Sequence, residues 1–116
     1  MSAIDIDELS RRLGEVPVLD VRRPSEYDGS AGHHCDPRQG HIAGARNFPV
    51  EELIELDEAQ IRERVGLPAG AEIVVYCHSG SRSSVAAQVL QSLGYQARNY
   101  LGSWHEWSRT DLPLAN

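Results

Sequence analysis

The 116-residue chain contains no lysine; all 11 of its basic residues are arginine. Without a lysine amine, Schiff-base catalysis is excluded, and so is a Walker-type phosphate loop. Cysteine is scarce, with only Cys35 and Cys77 present. In a reducing compartment the two read as thiols and not as a structural bridge. No apolar run approaches the ~20 residues needed to span a bilayer. The acidic opening Met1-Ser2-Ala3-Ile4-Asp5-Ile6-Asp7-Glu8 lacks the basic-then-apolar order of a secretory signal. The expectation is a soluble, cytoplasmic protein.

The composition is 41% hydrophobic and 24% charged, an ordinary globular balance that argues against disorder. The length suits one domain, residues 1–116. A net charge of −6 without any Arg run excludes nucleic acid and anionic membranes as expected partners.

Two segments read as buried parallel strands, being short, apolar and β-branched: Pro17–Val21 and, more clearly, Glu72–Tyr76. Ala45–Phe48 and Ala97–Tyr100 are weaker strand candidates. Helical periodicity runs through Ile6, Leu9 and Leu13 and stops at Gly14. Shorter helices are predicted over Glu51–Leu56 and Glu58–Val65, the second ended by Gly66 and Pro68. The strongest helix spans about Arg82–Leu93, with Val85/Val89 and Ala86/Leu90/Leu93 sharing faces and Gly94 at the left-handed position beyond its end. A last helix, Ser103–Arg109, carries Trp104 and Trp107, whose spacing predicts core packing. Strands alternating with helices define an α/β domain with a mainly parallel sheet. Asp28–Gln39 is a polar, Gly-rich loop without periodicity.

The candidate chemistry begins where the clearest strand ends. Cys77-His78-Ser79-Gly80-Ser81-Arg82 joins Glu72–Tyr76 to the apolar helix. In a strand–loop–helix unit of this kind, successive backbone amides curl around one point, and the helix amino terminus adds partial positive charge. Ser79, Gly80 and Ser81 are small enough to let the backbone approach a bound group. A thiol at that focus ionises easily, and Arg82 and protonated His78 are expected to help. A strand-end cysteine is often a small buried hydrophobe. Here polar, small and basic residues follow it, where a core position would continue apolar.

Four residues separate Cys77 from Arg82. Tyrosine and dual-specificity phosphatases interpose one more, which widens the loop for a tetrahedral phosphate. The tighter loop suits a smaller reacting centre, such as the outer sulfur of thiosulfate or of a persulfide. Vanadate- or arsenate-sensitive phosphatase or arsenate reductase chemistry is the weaker alternative.

The chain resembles the single-domain rhodanese (thiosulfate sulfurtransferase) family. The resemblance runs in order through Leu19-Asp20-Val21-Arg22, Glu26-Tyr27, Gly40-His41-Ile42-Ala43-Gly44-Ala45, Val75–Ser83, Leu93-Gly94-Tyr95 and Leu101-Gly102-Ser103-Trp104. It implies a five-stranded, mainly parallel sheet with helices on both faces, and a persulfide formed on Cys77 without any cofactor. A donor such as thiosulfate or a low-molecular-weight persulfide would charge the thiol; cyanide, a thiol or a protein acceptor would discharge it. By the same resemblance, His78, Ser79, Gly80, Ser81 and Arg82 bind substrate, Asp20 and Arg22 support the loop by ion pairing, and His41 is a scaffold position. A sulfur-carrying or anion-sensing module working with a protein partner is the alternative from a different class.

Two features depart from the family pattern. His78 stands where thiosulfate-preferring members often carry arginine, which weakens attraction for a dianion. Residues 28–39 form an insertion, and parallel strands deliver it to the sheet edge that carries Cys77. It reads as a solvated loop, or as the carrier of a resolving thiol, Cys35, that attacks the Cys77 persulfide. A metal site from His33, His34, Cys35 and Asp36 or His41 is disfavoured by the poor chelating geometry of adjacent histidines, so no metal is expected.

Overall fold

The computed structural model describes residues 3–116; Met1 and Ser2, at the start of the acidic opening, lie outside the described residues. In chain order the elements are β1 (Ala3–Ile4), α1 (Ile6–Arg11), β2 (Val18–Asp20), α2 (Pro24–Tyr27), β3 (His41–Ile42) and β4 (Arg46–Asn47). They continue with α3 (Val50–Glu55), α4 (Glu58–Val65), β5 (Glu72–Tyr76), α5 (Ser81–Ser92), β6 (Gln96–Tyr100), α6 (Ser103–Trp107) and β7 (Leu114–Ala115). Five strands form one sheet in the order β1-β6-β5-β2-β4, and every pairing in it is parallel. The short β3 and β7 pair antiparallel beside it.

The central strand β5 shows why its sequence is apolar throughout. Successive side chains point to opposite faces, and both faces are covered. Ile73 and Val75 pack with Val50, Leu53, Ile61, Val65, Ala86, Ala87 and Leu90, which come from α3, α4 and α5. Val74 and Tyr76 pack on the other side with Leu9, Tyr100, Trp104 and Trp107, bringing in α1 and α6. Both tryptophans are fully buried, as their spacing predicts.

Differences from the pattern have local causes. β1, with two residues, and α2, with four, are too short to show a period. β2 and β4 are shorter than expected, because pairing covers only Val18–Asp20 and Arg46–Asn47. On α5 the buried stripe is Ser83, Ala86, Ala87 and Leu90, an i, i+3, i+4, i+7 set, whereas Val85 is 45% exposed. A serine thus joins the buried row of an otherwise apolar stripe, for a reason found at the site. Gly94 takes the left-handed conformation expected after the helix, with φ of 95°.

Candidate active site

β5 ends at the carboxyl edge of the sheet, and Cys77 is the next residue. The segment it opens is held from the main chain outward. The Cys77 N–H donates to Ser103 Oγ at 3.1 Å, and its carbonyl accepts the Trp104 N–H at 2.9 Å. The His78 carbonyl accepts the His105 N–H at 2.9 Å. Gly80 turns the chain into α5 with φ of 97°, and an added Cβ there would meet the Leu101 carbonyl oxygen at 2.9 Å. Only a residue without a side chain fits that turn.

The turn aims donors at the sulfur. Gly80 N–H donates to Cys77 Sγ at 3.0 Å, and the Ser83 hydroxyl donates to it at 3.3 Å. This contact explains the serine on the buried face of α5. Cys77 is fully buried. Burial pushes the thiol up. The Ser83 hydroxyl and the amides of Ser83, Gly80 and Ser79 pull it down by more, so Cys77 titrates below the ordinary cysteine value.

The predicted loop residues are placed unequally. Ser79 and Ser81 are exposed, while Gly80 is buried at the turn. Arg82 does not point its charge freely at the thiol: its guanidinium is paired in two places with Glu26, at 2.7 and 3.0 Å. That pair raises the Arg82 pKa, with a smaller contribution from the Cys77 charge. Arg82, expected from the sequence to help ionise the thiol, has its charge answered by Glu26, and hydrogen bonds from Ser83 and the loop amides lead. Glu26 had no assigned role in the sequence, and Ser83 and Ser103 are also additions. Only the tertiary distances reveal them.

Asp20 and Arg22 form a buried pair at the end of β2, with Arg22 Nη2 2.6 Å from Asp20 Oδ2. Arg22 also donates to the Gly40 carbonyl at 2.6 Å, and Asp20 accepts the Tyr76 hydroxyl at 2.6 Å. The pair thereby ties β2 to β5 and to the far end of the 28–39 insertion. His41 is buried, stacked on Tyr27 at 3.6 Å, with Nδ1 2.7 Å from the Tyr27 carbonyl oxygen.

The insertion is more than a solvated surface loop. His33 stacks on His78 with ring centroids 4.7 Å apart, which places the insertion over the Cys77–Arg82 loop. Arg38 donates to the Trp107, Ser108 and Leu112 carbonyls, and Arg109 to the Cys35 carbonyl at 3.0 Å and Asp36 Oδ1 at 3.0 Å. Cys35 is exposed, and its Sγ is 2.8 Å from His33 Nδ1. Both cysteines are free. Asp36 is buried, with Oδ2 2.9 Å from His78 Nε2. Beside the loop, Ser79, Leu101, His105 and Arg109 help to line an open cleft of about 520 Å³.

The fold and site together are of a parallel α/β class in which a cysteine follows the central strand and loop donors meet its sulfur. The Rhodanese-like domain family matches residues 5–110, and the chain belongs to that family. It is 35% identical to a thiosulfate sulfurtransferase of Pseudomonas aeruginosa, over 91% of this chain and 43% of that protein. It is 36% identical to the sulfur carrier protein TtuD of Thermus thermophilus, over 88% of this chain and 42% of that protein. The chain thus spans less than half the length of these two relatives. Among solved structures, one described as a "Probable Thiosulfate Sulfurtransferase" superposes with a TM-score of 0.87 and 46% identity, covering 98% of this chain and 47% of that one. An EanB variant carrying a cysteine persulfide, with ergothioneine, superposes with a TM-score of 0.87 and 25% identity, over 97% of this chain and 27% of that one. Among the described residues, no helix is long and apolar enough to cross a membrane.

Proposed function

We propose that the protein is a sulfurtransferase that moves a sulfane sulfur through a persulfide on Cys77. The observation that carries this reading is the Cys77 sulfur held between the Gly80 amide and the Ser83 hydroxyl, at 3.0 and 3.3 Å. These donors stabilise a thiolate, which is the nucleophile and, later, the leaving group. With thiosulfate, the thiolate attacks the outer sulfur; the S–S bond of the donor breaks, and sulfite leaves with the bonding pair. The terminal sulfur on Cys77 is then attacked by cyanide or a thiolate acceptor, which restores the Cys77 thiolate. No cofactor enters this balance.

His78 to Arg82 surround the reacting sulfur and bind the donor. Arg82 is oriented by Glu26, and Asp20 with Arg22 supports the loop through Tyr76. Because Glu26 and Asp36 place carboxylates near the loop, the pocket is less positive than six successive polar and basic residues suggest. A low-molecular-weight persulfide therefore suits it better than the thiosulfate dianion. Cys35, beside His33 and over the nucleophile loop, is the resolving thiol: it attacks the inner sulfur of the charged Cys77, releasing hydrogen sulfide and leaving a Cys35–Cys77 disulfide. The sulfur-carrier reading gains support from the likeness to the Thermus protein.

One mass-spectrometric experiment tests these readings. After incubation with thiosulfate or glutathione persulfide, Cys77 is expected to gain the mass of one sulfur atom and to lose it on addition of cyanide. Failure of every sulfane donor to charge Cys77 overturns the proposal, whereas a charged form that cyanide cannot discharge favours the carrier. A crosslink between the peptides of Cys35 and Cys77 in protein charged without acceptor supports the resolving role, and its absence removes that role.

A further inference from the structure

Three potential metal ligands converge where the insertion meets the nucleophile loop, and they are not the set that adjacency in the sequence suggests. One ligand atom from each of Asp36, His78 and His105 lies within 4.8 Å of the others. Asp36 Oδ2 lies 2.9 Å from His78 Nε2, and the other carboxylate oxygen, Oδ1, lies 3.9 Å from His105 Nδ1. The Asp36 side chain is fully buried, and neither its Oδ2 nor His78 Nε2 has a hydrogen-bond partner among the described residues. Their 2.9 Å approach is too poorly aligned to count as a hydrogen bond. Two buried polar atoms facing each other outside hydrogen-bond geometry are costly unless something satisfies both.

We propose that Asp36, His78 and His105 bind a divalent cation of the zinc class at the mouth of the pocket. Two imidazoles and one carboxylate, with a fourth position open to water, match zinc's preferred donors. Zinc–ligand bonds of about 2.0–2.2 Å in a tetrahedron put neighbouring donors about 3.3 Å apart. Asp36 and His78 thus need to separate by only a few tenths of an ångström. His105, 53% exposed, has room to turn inward. Arg109, 3.0 Å from Asp36 Oδ1, supplies the outer hydrogen bond that commonly fixes a ligating carboxylate, leaving Oδ2 for the ion. Because the three ligands come from the insertion, the nucleophile loop and α6, an ion there fastens the 28–39 segment over the pocket.

The test does not depend on sulfur transfer, so its outcome is separable from that of the proposed function. In a full-length Cys35→Ser/Cys77→Ser variant, which removes both thiols as ligands, calorimetric titration with Zn²⁺ is expected to show a single saturable equivalent. Adding His105→Ala or Asp36→Asn should weaken that binding about tenfold or more. His105→Ala alters an exposed side chain and decides the matter if Asp36→Asn proves unstable. In the wild-type chain, Co²⁺ should give tetrahedral visible bands without thiolate charge transfer. Absence of binding in the double-serine variant, affinity unmoved by His105→Ala, or a strong thiolate band each overturns the proposal.

Discussion

Cys77 lies in an apolar setting that by itself opposes ionisation, so its ionisation depends on a small number of donors. Ser83 is the most informative of them, because it contributes a side chain that can be removed without disturbing the loop backbone. Ser83→Ala should raise the pH midpoint of Cys77 alkylation, because one hydrogen bond to the thiolate is lost. The sign follows from the folded protein: the hydroxyl stabilises the charged form, so its loss favours the thiol and the midpoint moves up. Measured as a rate–pH profile with a chelator present, an unchanged midpoint would assign the whole effect to the backbone amides. Arg82 illustrates the opposite case at this scale. It is placed by the sequence in the same short loop as Cys77, yet its charge is largely answered by Glu26.

Among the elements, the loop between β5 and α5 is the most constrained. Its shape depends on Gly80, where both the backbone conformation and the Leu101 carbonyl reject a side chain. Gly80→Ala should cost about 1–3 kcal/mol and lower Tm by roughly 5–15 °C, measurable by calorimetry. A Tm within a degree of wild type would mean that the loop relaxes freely, which is incompatible with an amide held on the sulfur. The insertion is the second informative element. Its composition reads as solvated loop, but three arginine-centred contacts dock it: Arg38 to carbonyls of α6 and the segment after it, Arg109 from that segment to the Cys35 carbonyl and Asp36, and Arg22 to Gly40 at its root. Alternation and helical period are blind to docking of this kind, because it uses main-chain carbonyls that every sequence carries.

For the molecule as a whole, the edge away from the thiol is held by charge. Arg12 bridges Glu8 and Glu72, and Arg98 bridges the same two carboxylates, linking α1, β5 and β6. The Arg12 hydrogen bond, opposed by partial burial and aided by Arg98, lowers the Glu72 pKa from 4.5 to about 2. A depressed carboxyl pKa contributes stability that is fully present above the unfolded value and is lost as pH falls from 4.5 through about 2. Glu72→Gln should therefore destabilise the protein at pH 7 by about 1 kcal/mol, a value limited by solvent screening. The difference from wild type should vanish towards pH 2 in urea melts taken across that range; a gap that persists in acid would show that packing, not charge, is responsible.

What the sequence by itself determined was local and contiguous. A β-branched run marked β5 to the residue, and Glu58–Val65 was bounded by its own turn chemistry. The passage from Cys77 to Arg82 placed the candidate nucleophile, because strand, turn and helix follow one another along the chain. What only the tertiary structure decided joins residues far apart in sequence: Arg82 with Glu26, Ser103 with Cys77, and Asp36 with His78 and His105. No residue in those sets carries its partner's position in its own neighbourhood. They meet because parallel strands and their crossover helices bring separate loops to one edge of the sheet.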